Sequence, residues 1–284
     1  MVAMQRRSFL ALPALAALPS ADAAPAPPPA PAPFHLGCVT YNVLKDMDLD
    51  TIIKTLEAAG IGAVELRTEH KHGVEPSIDA AQRAKVRERF QSSKVKLVSY
   101  GSTCEFQSLD DAARQKQIET ARAFVDLAKD TGAIAVKVRP NGVPRGSTIE
   151  AVTPRISDGL RQVGEYGKSK GIEIWMEVHG GVTQEPKNAH AILKGANHPN
   201  VFACWNSNPT DVVNGSVKQT WDLLGPYVRS AHITELTSNY PYRELFQLMR
   251  ASGYNRYTLC ECAESKEPLR FLTYYRALWE QLTA

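Results

Sequence analysis

Four polar residues stand at the ends of apolar, strand-like runs in the second half of this sequence. Glu177 closes IEIWME, Asn206 closes VFACWN, His232 closes VRSAH and Glu261 closes YTLCE. Carboxylate, amide and imidazole groups hold metal ions in proteins, and carboxylates also move protons to and from carbon. Because the C-terminal ends of the strands of a parallel barrel converge on one mouth, the pattern predicts a single enzyme site around a metal ion or a substrate carbon.

The elements that must position these residues alternate regularly along the chain. Short runs rich in β-branched and aromatic residues predict eight strands, at 36–43, 62–67, 95–101, 133–139, 172–178, 200–206, 228–234 and 257–262. Amphipathic stretches predict eight helices, near 49–59, 76–92, 109–131, 148–170, 186–196, 214–225, 240–252 and 266–282. Eight alternations in about 250 residues predict an α/β fold, a (β/α)8 TIM barrel. An open doubly wound sheet is the alternative, but the glycine-rich phosphate loop typical of that fold is missing from the sequence.

The N-terminal residues predict export. Arg6 and Arg7 precede a short apolar stretch and an Ala-x-Ala site at 21–23, so residues 1–23 resemble a twin-arginine signal peptide. Residues 24–33, APAPPPAPAP, predict an extended Pro/Ala-rich linker, which leaves 34–284 as one domain. We therefore expect a periplasmic or secreted protein. The apolar stretch is too short and too broken by proline to span a bilayer, so no stable membrane insertion is expected.

Composition narrows the classes of partner. The formal net charge of +3 gives no reason to expect binding to nucleic acid or to an anionic membrane. The five cysteines are an odd number for an exported chain and have no Cys-x-x-Cys spacing. We expect them to be buried, reduced thiols rather than a disulfide framework or a zinc–thiolate site.

Strand alternation assigns further polar side chains to the barrel mouth. If Glu177 points inward, Trp175 and His179 do so too, because alternate residues of a strand share a face. The second and fourth strands each add two charged residues on one face, namely Glu65, Arg67, Lys137 and Arg139. A structural network of salt bridges explains these four as well as a functional role does. A carboxylate ending an apolar strand is harder to explain structurally, because its burial is costly unless it is paired or binds a metal.

Taken together, the segments around these residues resemble a known family. The run EIWMEVHGG, the run CWNSNPTD, the HITEL segment and the late YTLCE segment are similar to the sugar isomerase/epimerase family with a xylose-isomerase-like TIM barrel. The resemblance covers essentially all of 35–284. It implies a divalent metal, Mn, Mg, Co or Zn, held at the mouth by the residues at four positions: Glu177, Asn206, His232 and Glu261. It also implies that Glu177 and Glu261 flank the substrate carbon and exchange a proton across an enediolate.

One position departs from the family pattern. The sixth strand ends in Asn206 where the family usually has Asp, and Asn208 follows instead of the histidine that is often found nearby. An amide oxygen can bind a hard cation, but the change removes one negative charge. We therefore expect this site to hold its metal more weakly than a site with four family-type ligands.

The chemistry expected at such a site is the interconversion of sugars. A metal that binds a ketose carbonyl acidifies the neighbouring C–H, so that one carboxylate can remove the proton and a second can return it. The sequence thus predicts a sugar isomerase or epimerase acting on a keto-sugar or related carbohydrate. Four further residues are predicted to bind the substrate: His72, Lys137, Arg139 and His179. Since sugar phosphates are scarce outside the cytoplasm, a free sugar, a keto-sugar or an oxidised glycoside is expected.

Alternatives to this function remain open. The same base and metal could serve a lyase that eliminates the glycosidic group from a 3-keto-glycoside. Apurinic-site endonucleases share the barrel. The resemblance to them would imply a site with three metals and a basic groove, and this sequence has neither pattern. A non-catalytic sugar-binding barrel is the third alternative, since loss of a metal ligand at Asn206 is how decay of an enzyme would begin. Relatives of this barrel often form dimers or tetramers, so a homo-oligomer is also open.

Overall fold

The computed structural model describes residues 32–284, in which eight parallel strands close into a barrel in sequence order. The strands are β1 His35–Val39, β2 Ala63–Arg67, β3 Lys96–Gly101, β4 Ala135–Val138, β5 Glu173–Glu177, β6 Val201–Trp205, β7 Val228–Ile233 and β8 Tyr257–Cys260. The helices are α1 Leu49–Ala59, α2 Ala80–Gln91, α3 Asp111–Thr131, α4 Ile149–Lys170, α5 Pro186–Ala196, α6 Lys218–Leu224, α7 Tyr242–Ala251 and α8 Pro268–Thr283. The predicted (β/α)8 barrel is confirmed. The predicted signal peptide and most of the linker lie outside the described residues.

Several element boundaries differ from the sequence prediction for local reasons. The first strand was predicted to reach residue 43, but it ends at Val39, because the chain turns at Thr40, whose carbonyl accepts a hydrogen bond from the backbone N–H of Leu44. Helix α2 begins at Ala80 and not near 76, since Asp79 and Gln82 form a capping box that sets the first turn.

The core has two parts, separated by the barrel wall. Most buried apolar side chains lie between the strands and the surrounding helices. A smaller cluster fills the barrel itself and consists of Ala63, Val98, Ala135, Trp175 and Cys204. All five cysteines are buried and carry free thiols, as predicted. None of the helices in residues 32–284 combines the length and the hydrophobicity that crossing a bilayer requires.

The interior becomes polar towards the C-terminal ends of the strands. Four buried polar side chains lie at the next inward-facing positions, two residues further along the strands than the level of the apolar cluster. They are Glu65 on β2, Lys137 on β4, Glu177 on β5 and His232 on β7. Because alternate residues of a strand face the same side, the Trp175 that fills the barrel and the Glu177 above it belong to one inward-facing row. The apolar cluster therefore forms the floor of a polar chamber.

Candidate active site

Three of the predicted ligands converge at the mouth of the barrel. One ligand atom each from Glu177, His232 and Glu261 lies within 4.8 Å of the others. The Nδ1 atom of His232 is 3.4 Å from Glu177 Oε1 and 3.3 Å from Glu261 Oε2. His232 is completely buried, whereas the Glu261 side chain remains 18% exposed. The centre is therefore closed from below by the barrel and open to solvent on the side of Glu261.

Asn206 is the fourth predicted ligand. It follows the end of β6, and its Oδ1 atom is buried without a hydrogen-bond partner. Its amide nitrogen donates to Oδ1 of Asn208 at 3.4 Å, which turns the oxygen away from that neighbour. Asn208 itself has a structural role, because its side-chain nitrogen donates to the Val178 carbonyl at 2.6 Å and so ties the ends of β5 and β6 together.

Lys137 forms a buried ion pair with Glu177. The Nζ atom of Lys137 is 2.5 Å from Glu177 Oε2, and the two side chains are 6% and 4% exposed. Burial alone would raise the pKa of Glu177, but the Lys137 ammonium and His232 hold it well below its usual range. Burial alone would lower the pKa of Lys137, but the negative charges of Glu177 and Glu65 raise it above its usual value. Glu177 therefore has one oxygen on Lys137 and the other facing His232.

A third carboxylate, Glu65, lies on the opposite side of the imidazole. Its Oε1 atom is 3.3 Å from His232 Nε2, and Oε2 accepts a hydrogen bond of 2.6 Å from Ser99. Burial alone would lower the pKa of His232, but the anionic groups around it, including Glu261 and Glu65, raise it well above its usual value. The sequence placed Glu65 at the barrel mouth and left a salt-bridge network and a functional role equally open.

The residues predicted to bind substrate are placed differently from one another. Arg139 and His179 lie at the rim beyond the ends of β4 and β5, where Arg139 Nε is 3.4 Å from the Glu105 carboxylate. Burial lowers the pKa of His179 against the opposing effect of Glu177, and the Nδ1 atom of His179 has no hydrogen-bond partner. Both residues can therefore offer polar atoms to a substrate.

His72 was predicted to contact the substrate, and the structure places both of its ring nitrogens on backbone groups of its own loop. Its Nε2 atom lies 2.8 Å from the Arg67 carbonyl oxygen, and its Nδ1 atom accepts a hydrogen bond from the backbone N–H of Val74. Because both ring nitrogens contact backbone groups, the His72 ring stabilises the loop after β2. Nothing in the spacing of TEHKHGVE distinguishes this role from substrate binding.

Several buried polar atoms at this centre and its rim have no hydrogen-bond partner. Among residues 32–284 they include Glu65 Oε1, Arg139 Nε, His179 Nδ1, Asn206 Oδ1 and both ring nitrogens of His232. Such atoms are rare in folded proteins and call for a bound partner. Carboxylate, amide and imidazole donors suit Mn, Zn, Co or Mg, so these residues fit a divalent metal.

Comparison with known proteins places this geometry in a family context. The chain is similar in structure to the IolI protein with a bound zinc atom, with a TM-score of 0.76 and 13% identity over 88% of this chain and 98% of that one. It is also similar to a D-psicose 3-epimerase with D-tagatose from Clostridium cellulolyticum H10, with a TM-score of 0.75 and 12% identity over 88% and 99%. A 3-keto-D-glucoside 4-epimerase, YcjR, from E. coli gives a TM-score of 0.72 and 11% identity over 88% and 98%.

These identities are low enough that the likeness establishes the fold alone. No curated protein is similar enough in sequence to count as a match. The model of one protein family, however, matches residues 53–208, which is more than half of the 284-residue chain. That match, together with the closed barrel, shows that the chain belongs to the xylose isomerase-like TIM barrel family.

Proposed function

We propose that this protein is an isomerase or epimerase that acts on a keto-sugar or a related carbohydrate. The observation that carries the proposal is the approach of two carboxylates, from Glu177 and Glu261, to the same nitrogen of His232 at 3.4 and 3.3 Å. Two carboxylates that face one small space can remove and return a proton at a substrate carbon between them. The barrel is shared with proteins named as a D-psicose 3-epimerase and a 3-keto-D-glucoside 4-epimerase, which supports this chemistry.

A divalent metal is part of this proposal. The residues that would hold it are Glu177, Asn206, His232 and Glu261, and the zinc named in the IolI structure supports a metal in this fold. When bound, a divalent metal would polarise the substrate carbonyl and make the neighbouring C–H more acidic. Which of Mn, Mg, Co or Zn is bound depends on availability as well as on these donors.

The surrounding side chains have separate tasks in the proposed reaction. Lys137 keeps Glu177 ionised, so that this residue is present as a carboxylate that can accept or hold a proton. Glu261 is reached from solvent and faces the incoming sugar. Arg139 and His179, at the rim, can donate or accept hydrogen bonds with sugar hydroxyls. Trp175 closes the barrel beneath the site and excludes water from that side.

One observation favours a lyase as the second candidate. Because Lys137 occupies one oxygen of Glu177, the two glutamates are not equivalent, and Glu261 is the freer base. In a 3-keto-glycoside, Glu261 could take the proton α to the ketone. The electron pair of the broken C–H bond would form the new carbon–carbon double bond, and the glycosidic oxygen would leave and be protonated. The same residues would thus carry out elimination in place of proton return.

Product analysis separates the two candidates. The purified protein would be incubated with Mn²⁺ in D₂O with a panel of free ketoses and 3-keto-glucosides, and the products followed by NMR. Deuterium at a carbon next to the carbonyl, with an isomerised or inverted product, is expected for the proposed function. Release of the glycosidic group would identify the lyase. If folded, metal-loaded protein produced neither change, the non-catalytic sugar-binding alternative would replace the proposal.

The metal part of the proposal is tested by restoring the charge that Asn206 lacks. Asn206→Asp should tighten the Kd for Mn²⁺ by on the order of tenfold, about 1.4 kcal/mol, because an anionic ligand replaces a neutral one. Isothermal titration calorimetry measures the change. Asn141→Asp, which adds the same charge at an exposed residue after β4, is the control and should have little effect. An unchanged Kd in Asn206→Asp would mean that Asn206 is not a ligand.

We also propose that the protein is exported by a twin-arginine route to the periplasm or beyond. The support is the Arg6-Arg7 pair ahead of a short apolar stretch. Changing both arginines to lysine should leave the precursor in the cytoplasm, as seen by cell fractionation and by the size of the chain. Normal export of that variant would contradict the twin-arginine assignment.

A further inference from the structure

Glu65 is a buried carboxylate that lies outside the proposed ligand set. It is completely buried at the C-terminal half of β2, with Oε2 held by the Ser99 hydroxyl at 2.6 Å. A Cβ atom at Gly101 would lie only 2.6 Å from Glu65 Oε1, so the absence of a side chain there makes room for this oxygen. Burying an ionised carboxylate is costly unless a specific partner compensates it. A carboxylate held so closely is expected to have a defined task.

The position of His232 indicates the role of Glu65, because the imidazole lies between Glu65 on one side and Glu177 and Glu261 on the other. Its Nδ1 atom faces Glu177 and Glu261, at 3.4 and 3.3 Å. Its Nε2 atom faces Glu65 Oε1 at 3.3 Å, and neither of these two atoms has another hydrogen-bond partner among the described residues. The ring therefore has one nitrogen towards the centre and the other towards Glu65.

This arrangement distinguishes the two neutral forms of the imidazole. With the proton on Nε2, that N–H lies on the side of the Glu65 carboxylate, whose Oε1 atom is 3.3 Å from Nε2, and the Nδ1 lone pair is on the side of Glu177 and Glu261. With the proton on Nδ1, the Nε2 lone pair would face the Glu65 oxygen, which is repulsive. A carboxylate on the far nitrogen of a ligating histidine commonly sets the tautomer in this way and makes the other nitrogen a better donor.

We propose that Glu65 is a positioning residue that holds the His232 ring and its Nε2-protonated tautomer, so that Nδ1 is the atom offered to a divalent metal. The proposal rests on the metal site of the proposed function. Glu65 acts through the imidazole, since His232 stands between it and the two glutamates of the centre. Ser99 in turn holds Glu65, which gives a chain of contacts from β3 through β2 to β7.

The test measures binding of Mn²⁺ alone, without any sugar. Glu65→Gln is expected to weaken the Kd for Mn²⁺ by roughly 10- to 100-fold, the range typical of such outer partners. Glu105→Gln is the matched control, because it removes the same charge at the mouth from a residue that pairs with Arg139 and does not contact His232. That variant should change the Kd by less than about threefold. Ser99→Ala, which leaves the Glu65 charge in place, should give an intermediate loss.

A spectroscopic measurement distinguishes positioning from general stability. In Zn²⁺-loaded protein labelled with ¹⁵N-histidine, His232 should show a protonated Nε2 with a downfield N–H proton that is hydrogen-bonded to a carboxylate. In Glu65→Gln that proton should move upfield or exchange with water. Glu65→Asp, which keeps the charge on a shorter side chain, replaces Glu65→Gln if the latter does not fold.

Three results from the variants and the spectrum would overturn the inference. These are an Mn²⁺ Kd in Glu65→Gln within twofold of the wild type, an equal loss in Glu105→Gln, and a His232 signal with the proton on Nδ1. A wild-type protein that bound neither Mn²⁺ nor Zn²⁺ would also overturn it. If metal binding behaves as expected while no sugar is converted, the proposed function fails and this inference stands.

Discussion

Glu261→Gln is expected to remove most turnover, by on the order of 10²-fold or more, while the barrel remains folded. The amide has the shape of the carboxylate but cannot accept the proton that the reaction takes from carbon. Because Glu261 Oε2 is also 3.3 Å from His232 Nδ1, the Kd for Mn²⁺ should weaken without being lost. Turnover would be measured at saturating Mn²⁺, so that the loss reports on proton transfer and not on metal occupancy.

Glu264→Gln is the matched control for this variant. Glu264 lies three residues further along the same loop, but its carboxylate is exposed and pairs with Lys45. That variant should retain wild-type turnover. If Glu261→Gln kept full activity on a substrate that the wild type converts, the assignment of Glu261 as a proton-transfer residue would be wrong.

Lys137→Met should cost the metal-free protein about 3–5 kcal/mol in the free energy of unfolding, because it removes the ammonium group that compensates the buried Glu177 carboxylate. For a chain of this size the melting temperature should fall by roughly 10 °C. Mn²⁺ should recover part of the loss, since the metal supplies a positive charge beside Glu177. Thermal unfolding with and without Mn²⁺ measures both effects.

The pH dependence of this loss follows from Glu177. Its pKa in the folded wild type lies below the ordinary value of 4.5, so the pair stabilises the fold above pH 4.5 and loses that contribution as the pH falls. The difference between wild type and Lys137→Met should therefore be largest near neutral pH and should narrow in acid. Combining Lys137→Met with Glu177→Gln should restore most of the stability, because no unpaired charge remains. A Lys137→Met protein as stable as the wild type at pH 7 would contradict the buried pair.

Local patterns in the sequence were sufficient to predict the barrel and the positions at its mouth. The alternation of short apolar runs with amphipathic stretches is a local feature of the sequence. It was enough to predict all eight strands and all eight helices. Element boundaries differed from the prediction where turn or capping contacts set them, as at Thr40 after β1 and Asp79 before α2. The rule that parallel strand ends converge was enough to bring Glu177, His232 and Glu261 to one place.

The partners within the chamber were decided by closure of the barrel. Glu65 and His232 are 167 positions apart in the sequence, yet they come to within 3.3 Å because the inward faces of β2 and β7 point to a common axis. In the same way the ion pair of Lys137 with Glu177 depends on the register of β4 against β5. Residue types and spacing could identify these side chains as candidates for the mouth of the barrel. Only packing in three dimensions decides which oxygen of each carboxylate faces which nitrogen. The same holds for the backbone contacts that hold the ring of His72.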